Sequence, residues 1–160
     1  MFAIGAVIVT MDGKVVDEFS GRCKIVGNVD AWVEQNVLPA LHDMQITHSG
    51  EKHLRDHFWS WLVKGQEASD YTVVQNGYPV EYSLMQKCQQ DDLNERYWQH
   101  PFPVLDLTSM AIAQGKTINA LKKAVETNQH LASGSAHNPV YDATVTALLA
   151  TELFKTVVSD

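Results

Sequence analysis

Cysteine, basic residues and long apolar runs are all scarce in this chain, and each shortage excludes a class of protein. Two of its 160 residues are cysteine, Cys23 and Cys88, which is no disulfide framework, and neither has zinc-type partners nearby. Lys and Arg number 12 against 19 Asp and Glu, a formal charge of −7. That balance argues against a general nucleic-acid coat protein. It leaves open an enzyme that processes nucleic acid, because carboxylates holding divalent cations reverse the local sign at the site. No segment approaches the ~20 apolar residues of a membrane span. The opening "MFAIGAVIV" lacks a basic n-region and a small-residue cleavage site, so no secretory leader is read there. There is no repeat, low-complexity tract or linker. What remains, 45% hydrophobic and 19% charged with four Trp, is ordinary globular composition. The expectation is one cytoplasmic domain over residues 1–160, with no membrane partner.

The apolar pattern supplies the elements. Residues 2–24 carry two strand-like runs around "MDG" and predict a β-hairpin. "NVDAWVEQNVLPAL" has helical spacing after a candidate cap at Asn28, and "EKHLRDHFWSWLVKG" repeats it with Gly65 as the expected C-cap. Short strands are expected at 71–74 and 102–107. Helices are expected from Pro79 to Gln89, near 107–114 and 116–127, and from Pro139 to about Val158, with a Gly/Ser loop at 133–135. A hairpin followed by strands alternating with helices predicts an α/β fold whose sheet is antiparallel at one side and parallel later.

Two acids stand in parallel positions. Glu81 lies in the first turn of its helix, with Leu84, Met85 and Cys88 three, four and seven residues on. Asp142 opens the last helix, with Val145, Leu149 and Leu153 three, seven and eleven residues on. Each therefore shares a stripe with apolar residues. An acid in a first turn also complements the helix dipole, so capping alone is one reading of both. The other is a pair of carboxylates converging on a divalent cation, which offsets the cost of burying them. His137 precedes Asp142 by five residues on a loop, where an imidazole could take a proton from water. His53 and His57 are spaced i, i+4, but "HLRDH" lacks the Glu of a zinc protease and reads as a solvated or half-buried face. Lys116, Lys122 and Lys123 fall on one expected helix and read first as a solvated face. Trp59 and Trp61 read as core rather than as base-stacking surface.

The segment "HNPVYDATVTALL", a His–x4–Asp leading into an Ala-rich apolar helix, resembles the third motif of the DEDDh (DnaQ-like) 3′–5′ exonucleases. In order along the chain, "FAIGAVIVTMDGKVVDEFSGRCKI" is similar to the strand pair after that family's first motif. "GYPVEYSLM" is similar to its second motif, with Glu81 where the family usually has Asp. "VLDLTSMAIAQG" is similar to the strand and helix that follow. The resemblance implies a ribonuclease H-like mixed sheet flanked by helices. It also implies Mg²⁺ or Mn²⁺ as cofactor and two-metal hydrolysis at the 3′ ends of single-stranded RNA or DNA. Carried over residue by residue, Glu81 and Asp142 would be metal ligands and His137 the general base. The family's first motif, Asp-x-Glu, has no counterpart, because Met1 stands where the connection from its strand should be. The expectations are an N-terminally incomplete domain lacking the first strand, weak binding of one cation, activity weakened or lost in this form without the first-motif carboxylates, and an exposed sheet edge open to strand addition or a homodimer. The alternative is a non-catalytic domain of the same fold that binds nucleic acid or protein.

Overall fold

A computed structural model describes residues 1–68, 72–76, 79–125 and 136–157. Strands β1 (Ala3–Val9) and β2 (Val15–Arg22) form the expected antiparallel hairpin, with Ala3 opposite Arg22 and Ile8 opposite Asp17. The turn closes through Gly13 N–H donating to Thr10 O at 2.8 Å. Gly13 sits at φ 87°, where a side chain would be strained. The register then shifts between Ile8 and Val9, leaving Val16 as the extra residue of a bulge.

Beyond the hairpin lies the short helix α1 (Ala31–Asn36), capped by Asp30, whose carboxylate accepts the Trp32 N–H at 2.8 Å. The cap is thus Asp30 and not Asn28. The helix stops at Asn36, and a 3₁₀ turn at Pro39–Leu41 replaces its expected continuation, since proline lacks the N–H that an α-helix would use. Helix α2 runs from Glu51 to Ala68, straight through Gly65. Gly65 is therefore no cap: leaving out a side chain is tolerated inside a helix held by the packing of its other residues.

Strand β3 (Val73–Gln75) leads to α3 (Val80–Asp91) and the single turn α4 (Leu93–Arg96). Strand β4 (Val104–Asp106) pairs in parallel with β3, Val73 opposite Val104 and Gln75 opposite Asp106. Then come α5 (Leu107–Ala113), α6 (Ile118–Val125) and α7 (Pro139–Val157). The Gly/Ser loop expected at 133–135 lies outside the described residues. Lys116 precedes α6 rather than sharing it with Lys122 and Lys123.

The fold is therefore α/β, as read. In place of one continuous mixed sheet, the described strands form two separate pairs, one antiparallel and one parallel. A two-stranded sheet is marginal by itself, and here helices supply the missing burial. One core joins Ile4 and Cys23 of the hairpin region to Leu54, Phe58 and Leu62 of α2 and Met85 and Cys88 of α3. The other joins Leu107 and Ala111 of α5 and Leu121 of α6 to Leu148, Leu149 and Leu153 of α7. Each fully buried leucine contributes roughly 2–3 kcal/mol of transfer free energy. Helix α7 packs on β1, β2 and β3 alike, so it is the element that ties both pairs of strands into one body. Trp59 is buried at 3% exposure and Trp61 is half-buried, in keeping with core roles. No helix among the described residues is long and apolar enough to cross a membrane.

Between α2 and the hairpin runs a chain of three imidazoles that sequence spacing did not reveal. Ser49 N–H donates to His53 Nδ1 at 3.3 Å, so a neutral His53 carries its proton on Nε2. That nitrogen lies 3.1 Å from His57 Nε2, His57 Nδ1 lies 3.1 Å from His48 Nε2, and His48 Nδ1 lies 2.8 Å from Thr47 Oγ1. One proton order satisfies every link in turn when all three rings are neutral. Burial, then the charges of His57 and His53, lower the His48 pKa below 6.5. The unfolded chain thus binds more protons than the folded one as pH drops below about 6.5. The stability that a neutral His48 confers is present above that value and is lost as pH falls toward the folded pKa. Thermal melts are expected to show stability falling by up to about 1.4 kcal/mol per pH unit there. His48→Gln should flatten that slope; an unchanged slope would place the pH dependence elsewhere.

Candidate functional site

The start of α7 is built for position. Asn138 Oδ1 accepts the N–H groups of Val140 and Tyr141 at 3.1 and 3.2 Å, and Pro139 occupies the first helical position. His137, just ahead, takes the left-handed conformation at φ 70°, uncommon without a glycine. Its N–H donates to Asp142 Oδ2 at 3.1 Å, so the carboxylate holds the backbone that aims the imidazole. His137 is itself exposed, and its ring meets Trp32 of α1 edge-to-face, 5.4 Å between centroids at 85°.

Capping explains part of "HNPVYD", but it does not explain the electrostatics of Asp142. A carboxylate that accepts an N–H and faces cations should ionise more easily. The pKa of Asp142 is instead raised. Burial of its carboxyl end is the largest cause, opposed by the His137 N–H and by the charges of His137 and Lys122. By residue surface Asp142 is exposed: it stands at the open end of the stripe whose inner members, Leu149 and Leu153, are fully buried.

Glu81 lies in the first turn of α3. Its Oε2 is buried and meets no hydrogen-bond partner among the described residues. Burial raises its pKa against a hydrogen bond from its own backbone N–H, and the charges of Asp106 and Asp142 raise it further. Three carboxylates from three elements thus bear on one region: the α3 start, the β4 end and the α7 start. Asp106, the Asp carried by "VLDLTSMAIAQG", is the member that sequence reasoning did not assign to the site. Its Oδ1 caps α5, accepting the Ser109 N–H and Oγ–H at 2.8 Å each, so that "DLTS" reads first as a helix cap. The D-x-x-S cap is the visible signal, and the parallel strand that carries it to Glu81 is the hidden one.

Do these residues fit a cation? The orphaned oxygen of Glu81 and the like charges raising its pKa are relieved by a hard divalent ion, and all the donors are carboxylate oxygens. Among the described residues, however, no group of three or more His, Cys, Asp or Glu side chains is disposed to hold a metal. The acids therefore form no enclosed metal site among the described residues. A depression of about 250 Å³ lies elsewhere, between Trp59 and Lys64 of α2 and Arg96 of α4, and includes none of these acids. Both cysteines are buried; the Cys88 thiol is pushed up to about 12, chiefly by burial, so neither offers a ready nucleophile. No family model, curated protein or solved structure matches the chain significantly.

Proposed function

We propose that this chain is a metal-dependent 3′–5′ exonuclease-type domain of ribonuclease H-like fold, of the DEDDh kind, acting on the 3′ ends of single-stranded RNA or DNA. The observation that carries the reading is the buried, unpartnered Oε2 of Glu81, in a region where Asp106 and Asp142 add negative charge. Burying a carboxylate oxygen without a partner is costly, and a cation-dependent site would give that cost a purpose. An antiparallel pair beside a parallel pair is compatible with the mixed strand directions that this fold implies.

Each residue then has a task. Glu81 and Asp142 would hold the cation. When bound, Mg²⁺ or Mn²⁺ would neutralise phosphate charge and favour ionisation of the attacking water. Asp142 also fixes the His137 backbone, and His137, exposed beside it, accepts the proton of that water. Lys122, whose charge already acts on Asp142, would add positive charge for a phosphate. Asp106 places negative charge near Glu81 while capping α5.

The test is degradation of 5′-labelled single-stranded RNA and DNA in Mn²⁺. The wild-type chain should give a ladder shortened from the 3′ end. Asp142→Ala should abolish it, and His137→Ala should slow it about 100-fold or more, the scale of a general base. A ladder untouched by both substitutions would sink the assignment. Absence of any ladder, with Mn²⁺ still stabilising the fold, would favour the non-catalytic binding domain.

A further inference from the structure

We propose that His53 and His57 chelate a divalent transition-metal ion of the Zn²⁺, Ni²⁺ or Cu²⁺ type, with His48 holding His57 in position. The site shares no residue with the acids at the starts of α3 and α7 and does not depend on the exonuclease reading. Spacing alone reads "HLRDH" as a helix face, but the fold places the nitrogens. His53 Nε2 and His57 Nε2 lie 3.1 Å apart. At a Zn–N bond length of about 2.05 Å, that separation subtends an angle of about 100° at a shared ion, between the octahedral and tetrahedral values. The ring centroids are only 4.3 Å apart, with the planes at 71°. That is too close for the two nitrogens to meet head-on, so the ring axes converge beside the pair. Both side chains are exposed, and an ion reaches them from solvent.

A ligating imidazole needs its other nitrogen held, because that hydrogen bond fixes the tautomer and aims the ring. His57 has this support. Its Nδ1 lies 3.1 Å from Nε2 of the buried His48, whose own Nδ1 lies 2.8 Å from Thr47 Oγ1. With a proton on Nδ1 of both rings, His57 presents the Nε2 lone pair. His53 joins it by moving its proton to Nδ1, which then donates to Ser49 Oγ at 3.1 Å, while the N–H of the exposed Ser49 turns to water. The ion replaces one hydrogen bond, between the two Nε2 atoms, and no proton is released. Nearby carboxylates on α2 are engaged elsewhere: Glu51 pairs with the Met1 amine and Arg55, and Asp56 with Lys52 and Arg96. The protein donors are thus two imidazole nitrogens, with water completing the shell. Such a set selects Zn²⁺, Ni²⁺ or Cu²⁺ over the oxygen-seeking Mg²⁺ and Mn²⁺. Bound there, the ion ties the early turns of α2 and, through His48, the bridge at Cys23.

The test is calorimetric titration of the full chain with Ni²⁺, alone and in about tenfold excess of Mn²⁺. The variants are His53→Gln and His57→Gln, both at exposed positions where folding should be kept, and His48→Leu, whose fold is checked by its melt. The wild type should bind Ni²⁺ at one strong site and melt at a higher temperature with it. Losing either ligand removes the chelate, and each Gln variant should bind about 100-fold more weakly. His48→Leu should cost about tenfold or more, the scale of a lost supporting hydrogen bond. The excess of Mn²⁺ should leave the Ni²⁺ isotherm unchanged. No Ni²⁺ binding by the wild type, binding that survives either Gln substitution, or displacement by Mn²⁺ would overturn the site. Unaltered binding by a folded His48→Leu would overturn the role given to His48.

Discussion

Gly5→Ala is expected to destabilise the protein by about 3 kcal/mol, near the upper end for forcing an atom into a packed core, and to cost activity beyond that. A Cβ on Gly5 falls well inside van der Waals contact with the Pro139 carbonyl and the Val140 nitrogen. These are backbone atoms in the first turn of α7, and they cannot rotate away as a side chain could. Either β1 or the helix start must move. The helix start is two residues from His137 and three from Asp142, so the displacement reaches the site directly. Urea or thermal unfolding measures the first effect, a fall in Tm of roughly 6–12 °C for a chain of this size. Leu153→Ala is the control. It empties a fully buried position toward the far end of the same helix and should cost a similar 2–5 kcal/mol. Assayed well below both melting points, it should retain the activity that Gly5→Ala loses. Equal activity in the two variants would mean that β1 does not position the site.

Glu81→Gln should make the protein more stable and remove its response to cations. Above its folded pKa Glu81 carries its charge in a half-buried place, near two other acids, with its Oε2 unpartnered among the described residues. Its folded pKa lies above the ordinary 4.5, so the folded state is disfavoured while the carboxyl is charged. That penalty is relieved as pH falls through the folded value and is gone below the unfolded one. The neutral amide keeps the shape without the charge, and roughly 1 kcal/mol of stabilisation is expected at pH 7. Melts of both proteins should differ most at pH 7 and converge near pH 4, because the remaining acids titrate alike in each. Added Mn²⁺ should raise the Tm of the wild type and leave that of Glu81→Gln unmoved. A variant less stable at pH 7, or one that answers Mn²⁺ like the wild type, would remove Glu81 from the site.

The elements with a strong local signal were legible in the sequence, and those that depend on distant partners were not. The hairpin announced itself through "MDG" between two apolar runs, and α7 through its spacing and its Pro139 start. Gly65 misled because a glycine is tolerated inside a helix whose other residues anchor it, and Leu54, Phe58 and Leu62 hold α2 against the hairpin and α3. Asp30 and Asn28 are equivalent candidates by residue type; which one caps α1 is decided by backbone geometry. At the site, His137 and Asp142 were linked by proximity in the chain. Glu81 entered by analogy of position, and Asp106 stayed hidden because its local duty as a cap accounts for it fully. His48 escaped for the same kind of reason: it reaches His57 only because a backbone bridge sets it beside Cys23, 25 residues away.

That α7 ties both pairs of strands together has a consequence for synthesis. The hairpin of residues 3–22 leaves the ribosome early, but the helix that covers it spans residues 139–157. Until that helix emerges, β1 lacks its most extensive neighbour and the contact at Gly5, and only α2 and α3 cover the hairpin. At 5–20 residues per second this interval lasts on the order of ten seconds, during which an apolar strand is open to other chains. Nascent chains stalled before residue 139 should therefore be protease-sensitive throughout the hairpin, and become resistant only as α7 clears the exit.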